Sequence, residues 1–135
     1  MTILEQEVDR LFAAYFRDFS NLDLKAIVSY FHHPCTFIVP QGVFVFSSAS
    51  EVEGFWAPRF DDLKTQGFGR TERAEANVKV LNDNTAMASS RAVRYKTDGS
   101  ELERRGATFA LRKTGDGWKI VTVIHHSPDN VIQMN

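Results

Sequence analysis

Apolar residues near the N-terminus recur at helical intervals, with Leu4, Val8, Leu11, Phe12, Tyr15, Phe16 and Phe19 falling on one broad face. Thr2 followed by Glu5 is a capping-box pattern, so the spacing predicts a helix that begins almost at the first residue. After the polar break Ser20-Asn21, a shorter stripe of Leu24, Ile27, Val28 and Phe31 predicts a second helix. It should stop near His32-His33-Pro34, because the residue before a proline is pushed out of the helical region. The period then shortens to that of strands. Residues 35–39 and 43–46 are β-branched and aromatic runs around Pro40-Gln41-Gly42, read as a short hairpin or two strand pieces. Ser48 and Glu51 repeat the capping-box pattern and open a third helix, with Val52, Phe55, Trp56, Phe60 and Leu63 inward. Pro58 should kink or divide it, and Gly67 and Gly69 should end it.

The second half is strands and turns. Residues 74–81, 85–97, 101–112 and 118–127 are separated by Asn82-Asp83-Asn84, Asp98-Gly99 and Asp116-Gly117, pairs that tolerate the positive φ of tight hairpins. A hairpin series of four strands forms an antiparallel meander. Helices first and sheet second argue for a segregated α+β domain over residues 1–135, with no repeat or linker. Three helices cannot cover both faces of such a sheet. An exposed apolar face, including parts of Val78-Val80, Val93-Tyr95 and Val121-Val123, predicts a homodimer through the sheet.

Composition changes this picture in few places. The 11 phenylalanines are the unusual count, and large aromatics both fill cores and line apolar ligand cavities. A net charge of -1, with no basic run, excludes a nucleic-acid or anionic-membrane surface built on charge. The acidic N-terminus with Glu5, Glu7 and Asp9 is unlike a signal peptide, no apolar run reaches membrane-spanning length, and the lone Cys35 fits a reducing compartment. A cytoplasmic protein is expected.

Several segments together resemble the nuclear transport factor 2-like superfamily, which includes ketosteroid isomerases and SnoaL-like polyketide cyclases. They are residues 21–31, the Pro40-Gln41-Gly42 turn, residues 50–56, the closing run 116–121 and His125-His126-Ser127. The resemblance covers nearly the whole chain. It implies a cystatin-like cone, with three N-terminal helices packed on a strongly curved, mainly antiparallel sheet that encloses a pocket. It also places Tyr15 where the isomerases keep the phenol of their oxyanion hole, and Phe55 and Trp56 on a pocket-lining pair. Val39 stands where their general-base aspartate would be, and Ala107-Thr108 where a second carboxylate would be. An alkyl group accepts no proton, so that mechanism is not expected here.

The candidate chemistry is correspondingly sparse. Imidazole is the usual proton-transfer group near neutrality, and strand alternation sends His125 and His126 to opposite faces, so only one of them lines a pocket. Trp118, Ile120 and Ile124 share the face of His126, while Val121 and Val123 share that of His125, which leaves the choice open. The candidate catalytic residues are Tyr15, His125 and His126. The candidate ligand-binding residues are Tyr15, Phe31, Val39, Phe55, Trp56 and Arg91. Arg91 is preferred to Arg94, Arg104 and Arg105 because Met87, Val93 and Tyr95 share its face. His32-His33 reads as a helix end and Cys35 as a small buried hydrophobe. No HxH, HExxH or CxxC spacing occurs, so neither a metal nor another cofactor is expected. The expected partner is a small apolar molecule. Proton-transfer chemistry on a hydrophobic carbonyl compound, a binding module without turnover, and a dimerisation or protein-interaction domain all remain open.

Overall fold

The computed structural model describes residues 1–134, and Asn135, the last residue of the expected domain, lies outside the described residues. Helix α1 spans Ile3–Ser20. Both arms of its capping box form: Glu5 N–H donates to Thr2 Oγ1 at 3.1 Å, and Thr2 N–H donates to the Glu5 carboxylate at 2.9 Å. Val8, Phe12, Tyr15 and Phe19 make its buried stripe. Helix α2 spans Leu24–Ser29 and strand β1 spans Phe31–Val39. The helix is shorter than the apolar stripe predicted, and Phe31 opens a strand. The reason is a partner distant in sequence. The Tyr30 carbonyl accepts from Ile120 N–H at 2.8 Å, and Phe31 pairs with Ile120, so the ladder takes the backbone groups a further helical turn would have used. Pro34 sits where that pairing shifts register, between Phe31 and Thr36, and its missing N–H costs no ladder bond there.

Strand β2 spans Gly42–Phe46 and helix α3 spans Ala49–Thr65, capped by Ser48. The helix is not divided at Pro58. The proline's missing N–H leaves the Gly54 carbonyl without its helical donor, and one residue on the Arg59 guanidinium donates to the Phe55 carbonyl at 2.7 Å. Gly67, at φ +81°, turns the chain directly into a strand, which therefore begins earlier than the expected residue 74. Strands β3 (Phe68–Asn82), β4 (Thr85–Lys96), β5 (Glu101–Thr114) and β6 (Gly117–His126) form the meander. Gly99 and Gly117 take positive φ as expected, whereas the 82–84 turn closes through Asn84 N–H donating to Asn82 Oδ1 at 3.2 Å.

The six strands lie in the order β2-β1-β6-β5-β4-β3, antiparallel except where β1 meets β6. The helices pack on one face, and Val8, Ile27, Phe37, Val52, Leu111, Ile120 and Val123 are fully buried between the layers. The register shifts between Ala110 and Leu111: Leu111 pairs with Ile120 and Ala110 with Thr122, leaving Val121 as an extra residue. Trp118 and Ile120 therefore point to the core before this bulge, and Val123 and His125 after it.

The other face of the sheet differs from expectation. A short 3-10 turn, Pro128–Asn130, leads the C-terminal segment across it. Ile132 N–H donates to Ser89 Oγ at 2.9 Å, Asn77 donates to the Ile132 carbonyl at 3.0 Å, and Gln133 donates to Glu75 at 2.7 Å. Val78 and Val80 pack against the core, Val93 is buried, and Val123 faces inward. An exposed apolar row lies on the other half of the sheet, where Val43, Ile38 and Ile124 pair side by side and Val45 follows. No described helix is long and apolar enough to cross a membrane.

Candidate functional site

Between α1, α3 and the concave side of β3–β6 lies an inner chamber of about 50 Å³. Tyr15, Phe16 and Phe19 line it from α1, Trp56 from α3, and Ala92, Ala107, Phe109 and His125 from the sheet. An outer chamber of about 300 Å³ is walled by Val39, Gln41, Arg59, Asp62 and Glu103. The two share Trp56, Arg94, Arg105 and His125. The inner walls are largely aromatic and methyl groups, with Thr71, Ser90, Arg94 and Arg105 as polar exceptions, and the outer walls are mostly polar or charged.

Alternation on β4 explains which side chains arrive. Ser90, Ala92 and Arg94 face inward, so Ser89, Arg91 and Val93 face outward. Arg91 is thus not a pocket residue. It stands on the outer face, 3.4 Å from Glu75. Met87, Val93 and Tyr95 do share its face, but it is the face away from the helices. Arg94 takes the place expected of Arg91. Its guanidinium lies 4.9 Å from the Phe19 ring centroid and donates to Glu103 at 2.7 Å. Arg105, one pair along, approaches the same carboxylate at 3.8 Å. Arg59 lies 3.6 Å from the Phe55 ring centroid at the mouth.

Alternation on β6 separates the two histidines, and the bulge before them decides which one faces inward. His125 turns inward, its ring 6.3 Å from that of Trp56. His126 faces outward in a hydrogen-bonded chain: its Nε2 is 2.7 Å from Thr108 Oγ1, which is 2.8 Å from Ser89 Oγ, and its Nδ1 is 2.8 Å from the Ser127 carbonyl. Gly106 makes that packing possible, because a Cβ there would lie 2.6 Å from the Ser127 carbonyl oxygen and 2.8 Å from the His126 ring. His126 is therefore removed from the inner chamber.

Of the remaining sequence candidates, Tyr15 and Trp56 line the inner chamber and Val39 the outer one. Phe31 and Phe55 lie behind Trp56 in the core, with ring centroids 6.5 and 5.2 Å from its own, and line neither chamber. The sequence reading missed Arg59, Phe16, Phe19 and Phe109, and it set aside Arg94 and Arg105. Arg59 follows Trp56 by three positions on one helix, a spacing that puts both on neighbouring faces and was legible. The two strand arginines depended on which sheet face the helices cover.

Burial and charge set the protonation states. His125 is pushed down to about 4 by burial and then by the cations of Arg105, Arg94 and Arg59, so the imidazole is neutral at pH 7. Burial pushes the Tyr15 phenol well above its ordinary range, so it remains an O–H donor. Burial also lowers Arg94, with Arg105 adding to the effect and Glu103 opposing it, although a guanidinium stays charged. Three polar tips have no hydrogen-bond partner among the described residues: the Tyr15 hydroxyl, the His125 ring and Trp56 Nε1, the last fully enclosed. Cys35 is buried and its thiol is pushed up to about 11 by that burial, which leaves it inert as a nucleophile. His32 Nδ1 lies 2.9 Å from the Pro34 carbonyl on the strand edge, away from both chambers. Among the described residues, no three His, Cys, Asp or Glu side chains are close enough to hold a metal ion.

Comparison with known proteins gives a consistent family. A family model described as an NTF2-like protein (DUF6841) matches residues 6–128. An NTF2-like protein with a cystatin-like fold from Novosphingobium aromaticivorans superposes with a TM-score of 0.72 at 18% identity, over 89% of this chain and 79% of that one. Aln2 from a Streptomyces species does so with a TM-score of 0.78 at 16% identity, over 96% and 94%. A cystatin-like protein of unknown function from Nostoc punctiforme gives 0.71 at 17%, over 93% and 92%. No curated protein matches the sequence. At these identities the structural likenesses establish the fold alone.

Proposed function

This chain belongs to the NTF2-like family DUF6841, and we propose that its concave pocket binds a small molecule with an apolar body and one polar end. The observation that carries this reading is a pair of unengaged polar tips, the Tyr15 hydroxyl and the His125 ring, on the wall of an aromatic cavity. Polar groups in largely apolar walls normally have partners, and two without one around one space favour an absent partner. The volumes limit the ligand. About 50 Å³ admits a group of only a few atoms, so most of a ligand would occupy the outer 300 Å³, the low end for small-molecule sites.

Proton transfer is the second reading. Tyr15 would polarise a carbonyl oxygen and His125 would move the proton, because both border the same inner chamber. An imidazole titrating near 4 is a weak base at pH 7, and Val39 supplies no carboxylate. The binding reading therefore stands first.

Aromatic and terpenoid ketones and acids, titrated as a panel, should include members that change tryptophan fluorescence saturably. The response should vanish in Trp56→Phe and persist in Trp118→Phe, because Trp118 donates to Glu7 at 3.0 Å near the start of α1 and lines neither chamber. A panel without any saturable member would defeat the pocket reading. Dimerisation remains part of the proposal, and its interface is the exposed row Ile38, Val43, Val45 and Ile124. Sedimentation at micromolar concentration should give twice the chain mass, and Val43→Glu with Val45→Lys should give a monomer. A wild-type monomer refutes it.

A further inference from the structure

We infer, on the basis of the pocket reading above, that the ligand is a small carboxylate whose charged end sits between Arg105 and His125 and whose apolar group enters the inner chamber. Three observations lead there. The first is a count of donors against acceptors. Where the two chambers meet, the His125 ring has an N–H that no described residue accepts, and Arg94 and Arg105 add guanidinium donors beyond the ones Glu103 engages. A guanidinium carries five N–H groups, and Glu103 takes one nitrogen of Arg94 at 2.7 Å and stands 3.8 Å from Arg105. A neutral ketone has one acceptor atom. A carboxylate has two oxygens and about four acceptor positions, which matches the donors present.

The second observation is the balance of charge. Facing His125 are Arg59 and Asp62 from α3, Tyr15 from α1, Arg94 from β4, and Arg105 and Glu103 from β5, while its neighbour His126 on β6 lies on the opposite face. Three guanidinium cations against two carboxylates leave one positive charge in excess. The cations dominate at the imidazole, since all three arginines oppose its protonation. An anion beside the ring has an attractive field there, in a recess with low-dielectric walls that strengthens it. The third observation is polarity: Arg59, Asp62 and Glu103 line the outer chamber alone, the Phe16, Phe19 and Phe109 rings line the inner one alone, and Arg94 and Arg105 stand where the two meet, so an amphipathic acid pairs both ends when its apolar group points inward.

This arrangement has a linked consequence. An anion that cancels the arginine field makes His125 easier to protonate, and by reciprocity protonation of His125 tightens the anion. Binding should therefore strengthen as pH falls below the value at which His125 titrates in the complex.

The test uses hexanoate and phenylacetate with their primary amides, hexanamide and phenylacetamide, as neutral partners of equal shape. Binding is followed through the ring resonances of labelled His125 and through Trp56 fluorescence. Wild type should prefer each acid to its amide by ~tenfold or more, the effect of one charge-assisted hydrogen bond. Saturation with acid should move the His125 titration upward from about 4, and the amide should leave it in place. Arg105→Gln, at a side chain 44% exposed and tolerant of change, should remove most of the preference; Arg91→Gln on the outer face should not. Amides that bind as well as acids, or a preference that survives Arg105→Gln, overturn the inference. If neutral ketones of the wider panel bind while the acids do not, the carboxylate falls and the pocket stands. If no compound of either kind binds, both fall.

Discussion

Trp56→Ala should lose roughly 3–5 kcal/mol of folding stability, the usual cost of truncating a buried tryptophan. The indole is 4% exposed, and rings surround it: Phe19 at 5.7 Å, Phe37 at 6.0 Å, Phe55 at 5.2 Å and Phe60 at 5.8 Å between centroids. Removing it leaves those ring contacts without a partner and enlarges the space next to the inner chamber. Trp56→Phe should cost much less. It keeps a ring in place and removes Nε1, a buried donor whose desolvation is uncompensated. Urea unfolding followed by circular dichroism measures both, and the midpoint should shift at constant m-value. A loss below about 1 kcal/mol in Trp56→Ala would mean that the aromatic cluster does not depend on this residue. Trp56 is at once a core residue and a wall of the cavity, so stability alone does not decide between scaffold and pocket. Ligand response does.

The stability of the protein should fall steeply in acid, between about pH 6.5 and pH 4, because of His125. In the folded protein the ring titrates at about 4, and in the unfolded chain near the ordinary 6.5. Between those values the unfolded state binds a proton that the folded state refuses. The unfolding free energy therefore rises with pH across this window and is lost as pH falls. The gap amounts to on the order of 3 kcal/mol once both values are passed. Carboxylates lowered by their partners, such as Asp18 beside Tyr30 and Arg17, add losses at more acidic pH, so the comparison must be with a variant. His125→Gln should flatten the curve between pH 6.5 and 4 and leave the more acidic limb unchanged. Parallel curves for the two proteins would show that the ring is not held neutral by burial and the arginines. A bound carboxylate should also flatten the wild-type curve, because it raises the folded-state value toward the unfolded one.

Elements with local signals were legible in the order of amino acids alone. Thr2-Glu5 and Ser48-Glu51 start two helices because their side chains reach only three residues along the chain, and both caps form. The glycines of Asp98-Gly99 and Asp116-Gly117 mark two hairpins because positive φ is a property of the residue itself. The order of helices and meander, with the segments around Pro40 and His125, was enough to indicate the family and its fold. Features that depend on a partner far along the chain arise only when the layers assemble. Phe31 became a strand residue because Ile120 offered a ladder. Alternation grouped Arg91 with Val93 and Arg94 with Ala92, but it is the docking of α1 and α3 that made the second group the inner one. The histidine pair is the clearest case. Counting by twos from Trp118 puts His126 inside, and counting from Val123 puts His125 inside; the extra residue at Val121 reconciles the counts by inverting the strand's faces between them. A bulge is set by how two strands align. No single strand carries it, and this one chose the histidine that meets the pocket.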